Sequence, residues 1–552
     1  MLSGGGGGRR NLAVLIRSGV LSLGRPDRML KRVAALATFG PTMAGTYAAA
    51  AARNPNRTAV IDERRRISYR ELEARGRRIA TGLAGLGVGP DGSAAVLQRN
   101  SAYTVETLVA LSRLGADALL LNTFLSPAQL AEVIGRDRPK VLIVDAELKA
   151  NLTGLPDDLV VIIADPGDGG GADSHSLDRL ADQADRRPDG TAAPRLPVPG
   201  RKGRLIILTS GTTGAPKGAR RAVPKGLGPA ASMLSRIGFR APETMLIAPP
   251  LFHTWGLGTL QLAAALNGTV VLRRKPDPES LLAAVDEFGC TSLVVVPVTA
   301  QRLVELPAAV RGRYRTSTLR VVACSSAAIS KNLSTTFQDT FGDVLYNIYG
   351  ATEVSWVTIA SPEDLRLSPG TAGRPPYGTR VEVLDDEGDP VPLGEVGDIY
   401  VGNELMFEGY TSGGDKLRRH GLLSTGDRGR IDEHGLLSVL GRDDDLVISG
   451  GENVYPSTVE ELLIAHPQVR EVTVIGVPDA RLGQRLAAYL VLTDAADRKG
   501  APELTADAVR DLVRAQLAAF CVPRDVVFLE ELPRNATGKV VSRLLPPSSP
   551  PR

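Results

Sequence analysis

The stretch Leu208-Thr209-Ser210-Gly211-Thr212-Thr213-Gly214-Ala215-Pro216-Lys217-Gly218 sets the end of an apolar strand against hydroxyls, glycines and one lysine. Glycines let a backbone wrap with its N–H groups inward, hydroxyls add donors, and Lys217 adds positive charge, which is the chemistry of a polyphosphate cradle. A Walker A loop is excluded. Counting from Gly211, that motif needs Gly where Pro216 stands and Ser or Thr where Gly218 stands. By composition alone, a flexible Ser/Thr/Gly turn stays open as the alternative.

Outward from this loop, short apolar runs alternate with helical patterns, as an α/β sheet requires. Thr58 to Ile61, Lys140 to Val144, Leu159 to Ile163, Leu205 to Leu208, Leu293 to Val296, Leu319 to Ala323 and Val344 to Ile348 read as strands. Ser68 with Glu71 makes a capping box, opening a helix whose apolar face is Leu72, Ile79, Leu83 and Leu86. Pro127 to Arg136 is a second helix. Asp165 to Gly203, crowded with Pro, Gly and Asp, reads as a long exposed connection. Beyond about Pro375, Arg380 to Leu384, Asp398 to Val401 and Leu436 to Leu440 form a small, mostly β subdomain. The last hundred or so residues are separate again, with strands at Val472 to Ile475 and Ala488 to Leu492 and helices around Val459 to His466 and Ala508 to Phe520.

The 552 residues call for two to four units at about 150 residues per domain. Hydrophobic residues at 43% and charged residues at 23% exclude wholesale disorder and a multi-span membrane protein. Lys+Arg at 65 against Asp+Glu at 61 gives no basic character demanding nucleic acid. Three distant cysteines and five scattered histidines give neither a disulfide framework nor a zinc site, which favours a cytoplasmic setting. The opening segment carries Arg9, Arg10, Arg17, Arg25, Arg28, Lys31 and Arg32 among Leu12, Leu15, Ile16, Val20 and Leu23. Its apolar run is shorter than a signal core or a membrane span. Two readings stay open for it: a helix packed on the body or a frayed extension, and peripheral contact with an anionic membrane surface.

The loop at 208–218 resembles the phosphate-binding signature of the adenylate-forming enzymes, the acyl-CoA synthetase, adenylation-domain and luciferase superfamily. Further signatures follow in order. Tyr346-Asn347-Ile348-Tyr349-Gly350-Ala351-Thr352-Glu353 is similar to the second nucleotide motif, and Ser424-Thr425-Gly426-Asp427 to the ribose motif. Gly441-Arg442-Asp443-Asp444-Asp445 resembles the hinge, and Pro533-Arg534-Asn535-Ala536-Thr537-Gly538-Lys539 the C-terminal lysine motif. The wording from Ile448 to Pro456 is most similar to bacterial fatty-acyl-CoA synthetases.

The resemblance implies an α/β fold. A large N-terminal domain comprises three subdomains, two α/β sheets and a small β-barrel-like one, and is joined to a small mobile α+β C-terminal domain. The expected boundaries are a basic extension over 1–46, an AMP-binding domain over 47–441, a hinge at 442–446, the C-terminal domain over 447–545 and a Pro-rich tail over 546–552. It also implies ATP, Mg²⁺ and coenzyme A, with acyl-adenylate and pyrophosphate formed first and AMP then displaced by the CoA thiol. Thr209, Ser210, Gly211, Thr212, Thr213, Gly214 and Lys217 hold the phosphates under this reading, and Thr352 donates to the α-phosphate. Glu353 holds Mg²⁺, since that ion takes one or two carboxylates plus phosphate oxygens. Tyr349 offers a face to adenine, Asn347 and the turn Ser325-Ser326-Ala327-Ala328 meet its edge, and Gly350 belongs to the same nucleotide-binding set. Ser326 departs from the glycine usual there. Asp427 accepts the ribose hydroxyls, and Arg442 donates to the same sugar. Lys539 bridges carboxylate and α-phosphate as charge builds. Asp444 is the hinge, and Gly450 and Gly451 lie along the pantetheine.

The acyl pocket is placed at His253, Trp255 and Leu257, with Gly256 and Gly258 leaving an apolar cavity. His253 is expected to act as an aromatic gate rather than a base, because a carboxylate nucleophile carries no proton to remove. The substrate expected on this reading is a medium- or long-chain fatty acid. Three alternatives stay open: a CoA ligase for aryl or branched acids, an acyl-AMP ligase serving a carrier protein, and an inactive nucleotide-binding sensor of the same fold. Oligomeric state is left open, a homodimer included.

Overall fold

The computed structural model describes residues 6–22, 24–165, 175–183, 196–209, 217–411, 416–442, 445–449, 452–479, 481–493, 502–535 and 538–548. Two sheets dominate the N-terminal part. One has eight strands, in the order Thr358–Ala360, Leu345–Tyr349, Val321–Ser325, Ser292–Val295, Thr244–Ile247, Thr269–Leu272, Thr58–Ile61 and Arg66–Ser68. It is parallel except at its two edges, where the outer strands run antiparallel. The other has six, in the order Val160–Ile163, Val141–Val144, Ser93–Leu97, Asp117–Leu120, Leu205–Thr209 and Lys217–Arg220, with only the last antiparallel.

These strands are apolar on both faces because both faces are covered. Met245 and Ile247 point into one core while Leu246 points into another, the period-2 alternation of a strand. The shared core fills the space between the sheets. It combines Val60, Val270 and Val294 of the larger sheet with Val96, Val141 and Ile207 of the smaller, around helices Tyr69–Gly85 and Ala102–Leu114. Ser68 and Glu71 cap the first of these helices reciprocally, as the sequence predicts. Arg274, just past a strand of the larger sheet, reaches Asp145 at 3.1 Å and Glu147 at 2.9 Å beyond a strand of the smaller one.

The connection after Asp165 is not simply an exposed loop. Helix Leu177–Gln183 interrupts it, burying Leu177 and Ala181. Arg75 bridges Glu106 at 2.9 Å and Asp178 of this helix at 2.6 Å. Glu106 is fully buried, so its charge requires such partners.

Helices Gly6–Arg17 and Pro26–Phe39 form the start. Val14, Leu15 and Val20 join the main core, whereas Pro26–Phe39 buries no residue and leaves Leu30 73% and Val33 65% exposed. Among the described residues no helix is long and apolar enough to cross a membrane.

Arg380–Leu384, Gly397–Gly402, Leu422–Ile431, Arg418–Arg419 and Leu437–Arg442 make an antiparallel sheet. Between Arg442 and Val447 the chain passes to a last sheet of Glu452–Val454, Val447–Ser449, Gly483–Leu492, Val469–Asp479 and Asp525–Phe528. Helices Pro456–Ile464 and Ala506–Gln516 cover it, and it has a core of its own around Val459, Leu486 and Val513.

Candidate active site

Parallel strands deliver their loops to one edge of a sheet. At the carboxyl edge of the eight-stranded sheet stand Pro249 to His253, Val296, Ser326 with Ala327, and Gly350 to Glu353. Ser326 and Ala327 are exposed there. The φ of Ser326 is +81°, a left-handed conformation that favours glycine and explains the glycine of the resembling family. At Gly350 a Cβ would stand 2.3 Å from the Ser355 carbonyl oxygen, so the turn before Thr352 admits no side chain.

Tyr349 and Asp427 meet directly, the phenol donating to Asp427 Oδ2. Asp427 and Arg442 sit opposite each other on neighbouring strands. Burial raises the Asp427 carboxyl above its ordinary range, opposed by the Tyr349 bond and by the charges of Arg442, Lys416 and Lys539. The last of these places the C-terminal lysine loop at the same edge. A tight turn presents it: Asn535 N–H donates to Lys539 O at 2.9 Å, and Gly538 N–H to Asn535 O at 2.9 Å. Gly538 has φ +78°, and a Cβ there would lie 2.5 Å from Val298 Cγ1. Lys539 itself is exposed.

Thr352 and Glu353 are half-buried. The Tyr410 hydroxyl donates to Glu353 Oε1 at 2.6 Å, and Oε2 has no partner among the described residues. No cluster of three metal-ligating side chains occurs among the described residues. One carboxylate with an oxygen left unengaged among the described residues fits Mg²⁺ held largely by phosphate and water.

His253 occupies the N-cap position of helix Thr254–Ala265 without capping it. Its Nε2 and the Thr254 hydroxyl are shut off from solvent, with no partner among the described residues. Burial pushes the imidazole pKa down to about 4, so His253 is neutral at physiological pH. Its ring lies 4.6 Å from that of Phe252.

Four expectations need adjustment. Leu257 is fully buried in the main core, and Trp255 Nε1 donates to Val295 O at 3.0 Å, so both are packed into the body. Gly256 opens no space: a Cβ there would sit 2.4 Å from Pro250 O, and the glycine serves close packing. Gly258 does face open space, with nothing within 4 Å. Asn347 is buried and spends its Nδ2 on Thr371 O at 2.9 Å. Ser210, Gly211, Thr212, Thr213, Gly214, Asp444, Gly450 and Gly451 lie outside the described residues, and only the backbone of Thr209 and Lys217 is described.

Two residues had no signal in the sequence. One is Tyr410. The other is Arg221, whose guanidinium is buried with Nη2 donating to Ser355 Oγ at 2.8 Å and Nη1 without a partner among the described residues. Burial lowers its pKa to about 10. It follows the strand that leaves the phosphate loop, so it braces that strand against the turn after Glu353.

A half-buried Tyr–Asp–Arg group at the carboxyl edge of the larger sheet and a lysine loop brought in from the C-terminal sheet's body, together with the ordered motifs of the sequence, define a nucleotide-dependent enzyme of the adenylate-forming class. The chain belongs to the AMP-binding enzyme family: its model matches residues 47–411, and that of the AMP-binding enzyme C-terminal domain matches 458–539. The chain is 31% identical over 498 residues to an indoleacetate–CoA ligase of Aromatoleum aromaticum, covering 88% of this chain and 94% of that one. It is 31% identical to a feruloyl-CoA synthase of an Amycolatopsis species, with 88% and 95% covered. The o-succinylbenzoate CoA synthetase of Bacillus subtilis, solved with its acyl-adenylate intermediate, superposes with a TM-score of 0.76 at 27% identity, over 92% of this chain and 99% of that one. The protein is an adenylate-forming acid–CoA ligase that works through an acyl-adenylate, with ATP and coenzyme A as co-substrates and Mg²⁺ as cofactor.

Proposed function

We propose that the chain activates an aromatic carboxylic acid rather than a fatty acid. The observation that carries this reading is the pair of shielded groups without a partner among the described residues, His253 Nε2 and Thr254 Oγ1, at the start of a twelve-residue helix beside the open face of Gly258. A helix N-terminus and two polar groups suit a carboxylate, while the neutral imidazole and Phe252 offer flat faces to a ring. The named relatives act on indoleacetate, ferulate and o-succinylbenzoate, all aromatic acids, which supports the same reading over the fatty-acid one.

The acid oxygen attacks the α-phosphorus of ATP, and the bond to pyrophosphate breaks. The segment from Thr209 to Lys217 and Thr352 hold the phosphates, Asp427 and Arg442 the ribose, and Lys539 the charge that builds between carboxylate and phosphate. Glu353 would hold Mg²⁺, which neutralises phosphate charge when bound. The CoA sulfur then attacks the acyl carbon, AMP leaves, and the thiol proton passes to solvent. The division at 442–446, with Asp444 as pivot, lets the C-terminal domain exchange Lys539 for Gly450 and Gly451 between these steps. Exposed Leu30 and Val33 beside Arg28 and Lys31 support peripheral contact with anionic lipid.

A panel of arylacetic, cinnamic and benzoic acids and of fatty acids of graded length, with ATP, Mg²⁺ and CoA, tests the reading. Pyrophosphate release and thioester formation are both scored. Aromatic acids should exceed the best fatty acid by about tenfold or more in kcat/KM. A fatty acid at the head of the panel rejects the proposal, and pyrophosphate without thioester points to a carrier-protein acceptor.

A further inference from the structure

The segment Phe407 to Thr411 touches the nucleotide residues twice. Glu408 N–H donates to Arg220 O at 2.9 Å, Arg220 N–H to Gly409 O at 3.1 Å, and Thr411 N–H to Gly218 O at 2.7 Å. It therefore continues the sheet beside Lys217–Arg220, the strand that leaves the phosphate loop. Phe407 N–H also donates to Glu353 O at 2.7 Å, and the Tyr410 hydroxyl to Glu353 Oε1 at 2.6 Å. One five-residue segment thus holds Glu353 by its backbone and by its carboxylate, while paired with the strand Lys217–Arg220. The Tyr410 ring is itself held edge-on to Phe407, with centroids 5.0 Å apart.

We propose that Tyr410 is a positioning residue for Glu353. Its phenol occupies Oε1 and fixes the carboxylate rotamer, so that Oε2 would be the oxygen left to hold a metal, in a carboxylate tied through this segment to the strand Lys217–Arg220. A hydrogen bond to a ligating carboxylate orients it and sets its affinity, and loss of such a partner costs about 10–100-fold in metal affinity or activity. This inference rests on Glu353 as the metal carboxylate.

The test compares Tyr410→Phe, which keeps the ring and removes the hydroxyl, with Glu353→Gln and the double variant. ATP binding is followed by calorimetry in EDTA and at stepped Mg²⁺, alongside thermal unfolding of the ligand-free protein. The expected result for Tyr410→Phe is unchanged unfolding, unchanged ATP binding in EDTA, and a rise of about tenfold or more in half-saturating Mg²⁺. The double variant should be no worse than Glu353→Gln alone. An unchanged Mg²⁺ requirement in Tyr410→Phe, with a shift in Glu353→Gln, overturns the role of Tyr410. No shift in Glu353→Gln overturns the metal reading of Glu353, and the inference falls with it. Equal loss of ATP binding with and without Mg²⁺, or a lowered unfolding temperature, assigns Tyr410 a structural role and also overturns the proposal.

Discussion

Tyr349 and Asp427 are 78 residues apart in sequence, yet one phenolic hydrogen bond joins the end of the strand next to one edge of the eight-stranded sheet to the antiparallel sheet. The bond favours the ionised carboxyl against the burial that raises its pKa. Removing it raises that pKa further, so a higher pH is needed to ionise Asp427. Tyr349→Phe should therefore move the acid limb of ATP binding to higher pH and raise the KM for ATP about tenfold at neutral pH, a loss of about 1.5 kcal/mol. Pyrophosphate release measured across pH checks both.

Gly538 has neither room nor backbone freedom for a side chain. Gly538→Ala should lower adenylation by about tenfold or more while leaving conversion of supplied acyl-AMP and CoA to thioester intact. Val298→Ala in the same chain should recover part of the loss. Lys539→Ala should show the same split between half-reactions without recovery, and equal damage to both would refute alternation of the C-terminal domain.

With its pKa pushed to about 4, His253 carries no charge across the working range. A rate profile in the acid substrate should then show no limb from this residue between about pH 5.5 and 8. His253→Phe should keep kcat within about tenfold. A limb near the ordinary histidine pKa that disappears in His253→Phe would mean that the imidazole titrates during turnover.

Ser326 is held in a left-handed conformation that an L side chain adopts at a cost. Ser326→Gly should stabilise the protein by about 0.5–1 kcal/mol, after the greater freedom of unfolded glycine is subtracted. Thermal unfolding reads the change, and a lowered midpoint would place the serine hydroxyl in a stabilising contact instead.

Much of this arrangement was legible where chemistry is written locally. Ser68 and Glu71 lie one turn apart and make their cap without reference to the rest of the fold. Asp427, Arg442 and Lys539 each stand in an ordered short motif, although nothing in the spacing of those motifs says that Lys539 comes within electrostatic reach of Asp427. Contacts between distant segments were hidden. Tyr410 in Phe407-Glu408-Gly409-Tyr410 reads as an ordinary aromatic until its segment pairs with Lys217–Arg220. Arg221 reads as a solvated charge until the fold buries it. Gly256 and Gly258 look alike in sequence, and only the approach of Pro250 O separates them. Helix Leu177–Gln183 was masked by the prolines and glycines on either side, whose local signal is for turns.

The core that fills the space between the two large sheets draws side chains from both, whereas the C-terminal sheet keeps a core of its own. Neither large sheet can lose its inner face without exposing that of its neighbour, so the two melt as one cooperative block. The C-terminal body lacks that dependence and can open and refold independently. Opening of that body therefore withdraws Lys539 while leaving the nucleotide-binding platform folded.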